Sequence, residues 1–518
     1  MSTSWSELEE PTARAPLGRT FSVGLNAFEA KVIEVQAHVG QGLPAVIIGG
    51  TVDSALREGR ERVRAAIVNS GFSFPDGKVT INLAPAELPK RGSAHDLSLA
   101  VAILVATEQV TSVRLSSTVL LGELALDGSL RPVRGILPAV IAARAAGFRR
   151  VVVPISMVAE ATLIDDIEIG GAHTLKEVVA WSEGKTVLDT VDGESSAPEP
   201  RMVPDMADVI GQTEARHALE IAAAGAHHVL MTGPPGIGKT MLARRLPGIL
   251  PPLDREESLE VTAVHSIAGI LSPGSPLVAD PPFIDPHHSA STTALLGGGT
   301  GMARPGAVSL AHRGVLFIDE CAEMGGKVLD SLRQPLEEGV VKVPRRDGVA
   351  EYPARFQLIL AANPCSCAPA RDTACMCSSV ERRRYLGKLS GPLMDRVDIR
   401  VRMDPPGNAT LTTASGESSA AIRVRVTGAR DAAVERWREF GWRTNAEARG
   451  ADLKRHFPLP PTVTRPLELS MREGRLTARG ADRAVRVAWT IADLEGRGTP
   501  TETDVAQALL YRDRGGLR

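Results

Sequence analysis

The stretch HVLMTGPPGIGKTMLARRL (228–246) decides the central fold. An apolar strand runs into a glycine loop, and the loop runs directly into a helix-forming segment. Within it GPPGIGKT (233–240) fits G-x-x-x-x-G-K-[ST] in the context the pattern needs, after a strand and before a helix. The glycines let successive backbone N–H groups curl round a phosphate at a helix N-terminus. Gly233, Pro234, Pro235, Gly236, Ile237 and Gly238 are expected to line a bound triphosphate, Lys239 to reach its outer phosphates, and Thr240 to offer a hydroxyl to Mg2+. Further along, GVLFIDE (314–320) is an apolar strand ending in two carboxylates. Asp319 is expected in the Mg2+ shell, with Glu320 polarising the attacking water. A third strand, FQLILAAN (356–363), ends in Asn363, which can orient the same water.

Working outward, the chain has 518 residues, 43% hydrophobic and 23% charged, an ordinary globular composition spread over more than one core. Its 59 basic and 61 acidic residues leave a net charge of −2, which excludes a wholesale basic coat, so a polyanion has to be gripped locally. Two local excesses exist: twelve Lys/Arg against six Asp/Glu over 342–402, and nineteen against thirteen over 421–518. Aromatic residues at 3% are too scarce for a stacking platform. No apolar run reaches the roughly 18 residues of a membrane span, the stretch near 97–106 being about half that. The start, MSTSWSELEE, lacks a secretory pattern. A cytoplasmic protein without membrane contact is expected.

Composition divides the chain into 1–182, a linker at 183–204, an α/β block at 205–405, a small polar linker at 406–420 and an Arg-rich helical segment at 421–518. In the first segment VIIGG (46–50), KVTINLA (78–84) and GFRRVVVP (147–154) read as strands, and 54–71 and 136–147 as helices, giving an α+β unit. VVKVPRRDGVAEY (340–352) reads as a β-hairpin about an Asp-Gly turn, with Lys342, Arg345 and Arg346 at or near its tip. The Gly-rich segment 283–314 reads as an inserted loop. Its adjacent His287 and His288 would face opposite ways in a strand, which favours a loop role over metal ligation. Cys365, Cys367, Cys375 and Cys377 form C-x-C-x7-C-x-C after Asn363. Four thiolates suffice for a tetrahedral Zn2+ site; free thiols or a redox switch are the other readings. Cys321 reads as a small buried hydrophobe.

The order of phosphate loop, Asp-Glu strand and Asn-tipped strand resembles the AAA+ ATPases, which work as rings, usually hexamers. That resemblance implies a Gly-Gln element near the adenine, and ADVIGQ (207–212) places Ile210 and Gly211 there. It also implies an arginine finger donated across the subunit interface, for which SGPLMDRVDI (390–399) offers Arg396. A further arginine belongs on a helical lid; LTARGADRAVRVAWTIADL (476–494) offers Arg479, with Arg483 and Arg486 nearby. In such rings a hairpin at 340–352 projects into the pore to grip nucleic acid or a polypeptide. DPHHSAS (285–291), RPGAVSLAHRGVLFIDE (304–320), LRQPLEEGVVKV (332–343) and ANPCSC (362–367) narrow the likeness to the magnesium-chelatase-like YifB/ComM group. For the ComM branch this implies a hexameric motor driving DNA branch migration in recombination, on branched or single-stranded DNA. The chelatase motor subunit itself resembles only the central and lid regions.

The stretches 79–106 and 120–154 resemble the proteolytic domain of Lon proteases. That domain needs a Ser nucleophile and a Lys base. Ala94 falls at the Ser position, Ser93 is one residue off, and Leu137 falls where the Lys belongs, so a non-proteolytic domain is expected. Two other functions stay open: a chelatase-type motor acting on a porphyrin-holding partner, and a nucleotide-gated scaffold.

Overall fold

A computed structural model describes residues 17–513 except 50–53, 87, 89, 91, 112, 191–202, 272–276, 300–302, 346–347, 370–374 and 405–415. Its N-terminal part is built on a seven-stranded mixed sheet. The strand order is Ala45–Gly49, Lys78–Ala84, Glu29–Gly40, Leu17–Asn26, Thr118–Leu120, Arg150–Pro154, Glu168–Ala172. Strands Leu17–Asn26 and Glu29–Gly40 form a long hairpin in the register Val23↔Val32. Period-two burial directs one face of the sheet inward: Ile33, Val35 and Ala37 lie against the same core as Val79, Ile81 and Leu83 of the paired strand. Helices Ser54–Asn69 and Asp96–Ala106 cover that face, and every residue of the second is buried, so the apolar run near 97–106 is a core helix. It lies at backbone contact with the sheet, since a Cβ on Gly18 would stand 1.9 Å from the Ala102 carbonyl oxygen. Helix Ile136–Ala145 covers the other face, joined there by Ala263 and Leu259 of helix Arg255–Ala268.

The central sheet has five parallel strands in the order Phe283–Ile284, Val315–Ile318, Gln357–Ala362, Val229–Thr232, Ile399–Arg402. Parallel strands are covered on both faces, which is why they read as unbroken apolar runs. Val229, Met231, Phe317, Ile359 and Ala361 face one core; Leu230, Leu316, Ile318, Leu358 and Leu360 face another. The first core continues into helices Ser419–Arg436, Ala478–Leu494 and Glu502–Asp513 through Ile422, Val426, Ala488, Ile491 and Val505. Sheet and C-terminal helices therefore share one apolar interior. Strand Gln357–Ala362 lies between the phosphate-loop strand and the Asp-Glu strand, so the residue after it sits between loop and carboxylates.

The hairpin is present as Val340–Arg345 paired with Gly348–Pro353, in the register Val343↔Ala350. The 283–314 segment carries more order than its glycines suggested. It holds helices Thr292–Leu296 and Ala307–Leu310 and a two-stranded pair, Gly297–Gly298 with Arg304–Pro305, anchored by buried Leu295 and Val308. Among the described residues no helix is long and apolar enough to cross a membrane.

Candidate functional site

Strand Val229–Thr232 runs into Gly233, and helix Lys239–Ala243 starts six residues after that glycine. Gly236 and Gly238 hold φ of 74° and 99°, the left-handed region that a side chain resists. Gly233 is required for a different reason: a Cβ there would stand 2.6 Å from the Met403 carbonyl oxygen. The loop thus passes tightly over the end of strand Ile399–Arg402.

Four of the expected residues converge at the C-terminal edge of the sheet. The Lys239 ammonium is buried and donates to the carbonyls of Gly233 (2.7 Å) and Pro234 (2.9 Å) and to Oδ1 of Asn363 (3.0 Å). Burial lowers its pKa against the opposing pull of Asp319 and Glu320. Thr240 donates its hydroxyl to Asp319 Oδ2 at 2.5 Å, and the other oxygen of Asp319 accepts from the Glu320 backbone N–H at 2.8 Å. A hydroxyl and a carboxylate held together are hard oxygen donors of the kind Mg2+ takes. Glu320 stands exposed with φ 47°, its side chain turned to His288, Nδ1 to Oε2 3.2 Å. Cys321 behind it is fully buried, and burial pushes its thiol up to about 12.

Ile210 and Gly211 lie in the loop before helix Thr213–Gly225, where Gly211 has φ 73° and Gln212 donates to the Asp404 carbonyl at 3.1 Å. Arg245 ties this loop to the phosphate-loop helix through Asp208 (3.0 Å) and the carbonyl of Met241 (3.0 Å). The two arginine candidates stand elsewhere. Arg396 pairs with Glu337 and donates to the Pro392 carbonyl, and neither partner belongs to the phosphate loop. Arg479 is exposed on the first turn of helix Ala478–Leu494. One turn along, Arg483 turns inward to Asp398 (2.7 Å) and to the carbonyl of Arg396 (3.0 Å), while Arg486 reaches the Ala446 carbonyl at 3.2 Å. On the hairpin, Lys342 pairs with Glu338 at 2.9 Å, whereas Arg345 is folded onto the Gly299 carbonyl instead of standing free at a tip. Arg346 lies outside the described residues.

The four cysteine sulfurs fall within 4.8 Å of one another, with Cys365 3.3 Å from Cys367 and 3.4 Å from Cys375, and Cys367 3.6 Å from Cys375. A tetrahedron of thiolates about 2.3 Å from a central ion has edges of about 3.8 Å, so this donor set fits a metal with little movement. In the N-terminal part Ser93 donates to Glu123, and Leu137 is buried with its N–H on Glu160 (2.8 Å). The Ser93 partner is a carboxylate, not an amine.

Sequence reasoning missed Glu337, and it named His288 and Arg483 without their partners. The loop role expected for His287 and His288 holds in that 283–314 carries them outside any long strand; their rings lie tilted with centroids 4.1 Å apart, and His288 reaches Glu320. Arg483 had a signal, the i, i+4 spacing from Arg479 on one helix face. Glu337 had none, since its contact spans 59 positions of chain.

Profiles of three families match the chain: magnesium chelatase, subunit ChlI, over 205–411; subunit ChlI of Mg-chelatase over 35–157; and the ChlI C-terminal region over 416–512. The second match carries the chelatase description into the N-terminal part, which the sequence reading had set outside that resemblance. An uncharacterized protein of Mycobacterium tuberculosis is 53% identical over 503 residues, covering 97% of this chain and all of the relative. The Escherichia coli protein YifB is 39% identical over 493 residues, 95% of each chain. Competence protein ComM of Haemophilus influenzae is 38% identical over 491 residues, 93% of this chain and 95% of its own. With phosphate loop, carboxylate pair and Asn-tipped strand on a parallel sheet, and relatives matching almost end to end, the chain belongs to the YifB/ComM group of magnesium-chelatase-like proteins.

Proposed function

We propose that the protein is a ring-forming AAA+ ATPase that couples ATP hydrolysis to remodelling of DNA, as a branch-migration or helicase-like motor in recombination or transformation. The observation that carries this is the convergence of Lys239, Thr240, Asp319 and Asn363 on one edge of the sheet, with Glu320 beside them. Lys239 neutralises the outer phosphates, and Thr240 and Asp319 hold the Mg2+ that comes with ATP. Asn363 and Glu320 position a water in line with the terminal phosphorus, and Glu320 takes its proton as the new P–O bond forms and the bridging bond breaks. Ile210 and Gly211 contact the base. Arg396 serves the neighbouring subunit's site, and Arg479 serves from the lid.

In this reading 205–405 hydrolyses, 421–518 is a helical lid whose first helix starts at Ser419, 1–182 is a Lon-protease-like domain without proteolytic chemistry, and 183–204 and 406–420 are linkers, of which 191–202 and 406–415 lie outside the described residues. The ring is a hexamer working in the cytoplasm. Lys342, Arg345 and Arg346 contact branched or single-stranded DNA, which the local basic excess and the name of the competence relative both support. Cys365, Cys367, Cys375 and Cys377 hold a structural Zn2+, supported by their sulfur separations.

The test is ATP turnover with branched, single-stranded and duplex DNA. Stimulation that collapses with salt and disappears in Lys239→Ala and Glu320→Gln is expected. Turnover indifferent to every DNA tested removes the DNA reading, and turnover surviving both substitutions removes the ATPase site.

A further inference from the structure

Arg396 is not presented outward. Its side chain is 11% exposed, Nη2 pairs with Glu337, Nη1 donates to the Pro392 carbonyl at 2.5 Å, and Nε is buried with no partner. A guanidinium with an orphaned N–H is not at its best-satisfied position, and an anion offering several oxygens would serve it better. The backbone beneath it is pinned. The N–H groups of Asp398 and Ile399 bond the His228 carbonyl at 3.0 and 3.1 Å, Arg483 holds the Arg396 carbonyl at 3.0 Å, and Arg512 holds the Val397 carbonyl at 3.0 Å. What can move is the guanidinium.

Its restraint sits next to the hairpin. Glu337 is 61% exposed near the end of helix Arg333–Glu338, and Gly339 (φ 68°) turns the chain straight into strand Val340–Arg345. The Gly339 carbonyl accepts the Ala354 N–H at 2.8 Å, closing the base of the hairpin, and Glu338 is tied to Lys342 on its first strand. Helix end and hairpin are joined without slack, so a load on the hairpin turns the last helical turn.

We infer that Glu337 is a latch, a positioning residue that keeps Arg396 within its own subunit until polynucleotide on the hairpin withdraws the carboxylate and frees the guanidinium for the neighbouring subunit's triphosphate. This rests on the reading of Arg396 as an arginine acting across the interface. A half-exposed ion pair is weak, so the latch shifts the free population only about two- to fivefold.

The experiment measures ATP turnover of the full chain with and without a single-stranded or branched oligonucleotide. In Glu337→Gln the rate without DNA rises by about two- to fivefold with KM for ATP unchanged, and the stimulation ratio shrinks by the same factor. Glu435→Gln, which removes an exposed carboxylate of helix Ser419–Arg436 paired with Arg438, leaves the DNA-free rate at its wild-type value. An unchanged or lowered DNA-free rate in Glu337→Gln, with Arg396→Ala inactive, overturns the latch alone. An active Arg396→Ala overturns the interface reading beneath it.

Discussion

Asp398 is the residue on which the central core and the C-terminal helices meet. Burial would raise its carboxyl, but Arg483 at 2.7 Å, with His227 and His228 beside it, holds it well below the usual range. It is 3% exposed, so removing its cation leaves a buried charge with poor partners. Arg483→Ala is therefore expected to destabilise the protein by about 3 kcal/mol, and Arg483→Lys by less, measured by denaturant unfolding. His228 gives the same junction a pH dependence. Burial pushes it down to about 4, helped by Arg483 and His227 and opposed by Asp398. A histidine depressed in the folded state takes its proton first in the unfolded chain. Stability is full above the ordinary value near 6.5 and falls by about 1.4 kcal/mol per pH unit toward 4. Thermal unfolding between pH 7 and 5 should show that slope. His228→Asn, which keeps an acceptor for the Leu358 N–H (3.1 Å), should flatten it.

At the scale of elements, the cysteine loop links three parts of the site. Cys365 follows Asn363 by two residues, and Cys377 precedes the capping box of Ser378 and Glu381 that starts helix Ser379–Leu386. Tyr385 and Leu386 of that helix pack on Ala322, two residues after Glu320. A metal in the four-sulfur cage would clamp the Asn-tipped strand to the segment behind the carboxylates. Purified protein is expected to hold one Zn2+ per chain by elemental analysis. Cys365→Ser should lose it and slow turnover by about tenfold while nucleotide binding persists, since the phosphate loop lies on another strand. The elements themselves were legible to different degrees, for physical reasons. HVLM, VLFI and QLILAA announced themselves because strands covered on both faces must be continuously apolar. The hairpin at 340–353 was legible from two strand-like arms about an Asp-Gly pair, although Gly348 itself is paired with Arg345 in the ladder. The longer hairpin at 17–40 was overlooked although FSVGLNAFEAKVIEVQAHVG alternates, because its turn at Ala27 (φ 58°) carries no Gly or Pro signal. The 283–314 segment misled through its glycines, which mark close backbone approaches: a Cβ on Gly306 would stand 2.3 Å from the Gly297 nitrogen. Contacts such as His288 with Glu320 or Glu337 with Arg396 join distant segments, and local pattern holds no record of them.

Across the whole molecule, side-chain bonds join the N-terminal part, the central sheet and the C-terminal helices. The N-terminal sheet is locked to helix Arg255–Ala268 by Glu160, which accepts from Ser266 (2.5 Å) and from the Leu137 N–H, and by Arg255 paired with Asp165. The C-terminal helices share the interior of the central sheet, and Arg443 bridges them to Asp254 and Glu257 at 2.6 Å. The phosphate-loop strand Val229–Thr232 and strand Ile399–Arg402, which follows Arg396, are neighbours in that sheet. Among the described residues the Arg396 side chain bonds Glu337 and the Pro392 carbonyl and not Lys239 or the phosphate loop, an arrangement compatible with work on a second copy. A head-to-tail interface of that kind makes a mixing experiment decisive. Arg396→Ala subunits keep the phosphate loop and lose the arginine; Lys239→Ala subunits keep the arginine and lose the loop. Each alone should fall by about a thousandfold or more. Mixed in equal amounts, about one interface in four pairs an intact loop with an intact arginine, so roughly a quarter of wild-type turnover should return if subunits associate at random head to tail. Were the arginine to act within its own chain, no mixed particle would hold a complete site, and the mixture would stay as inactive as its parts.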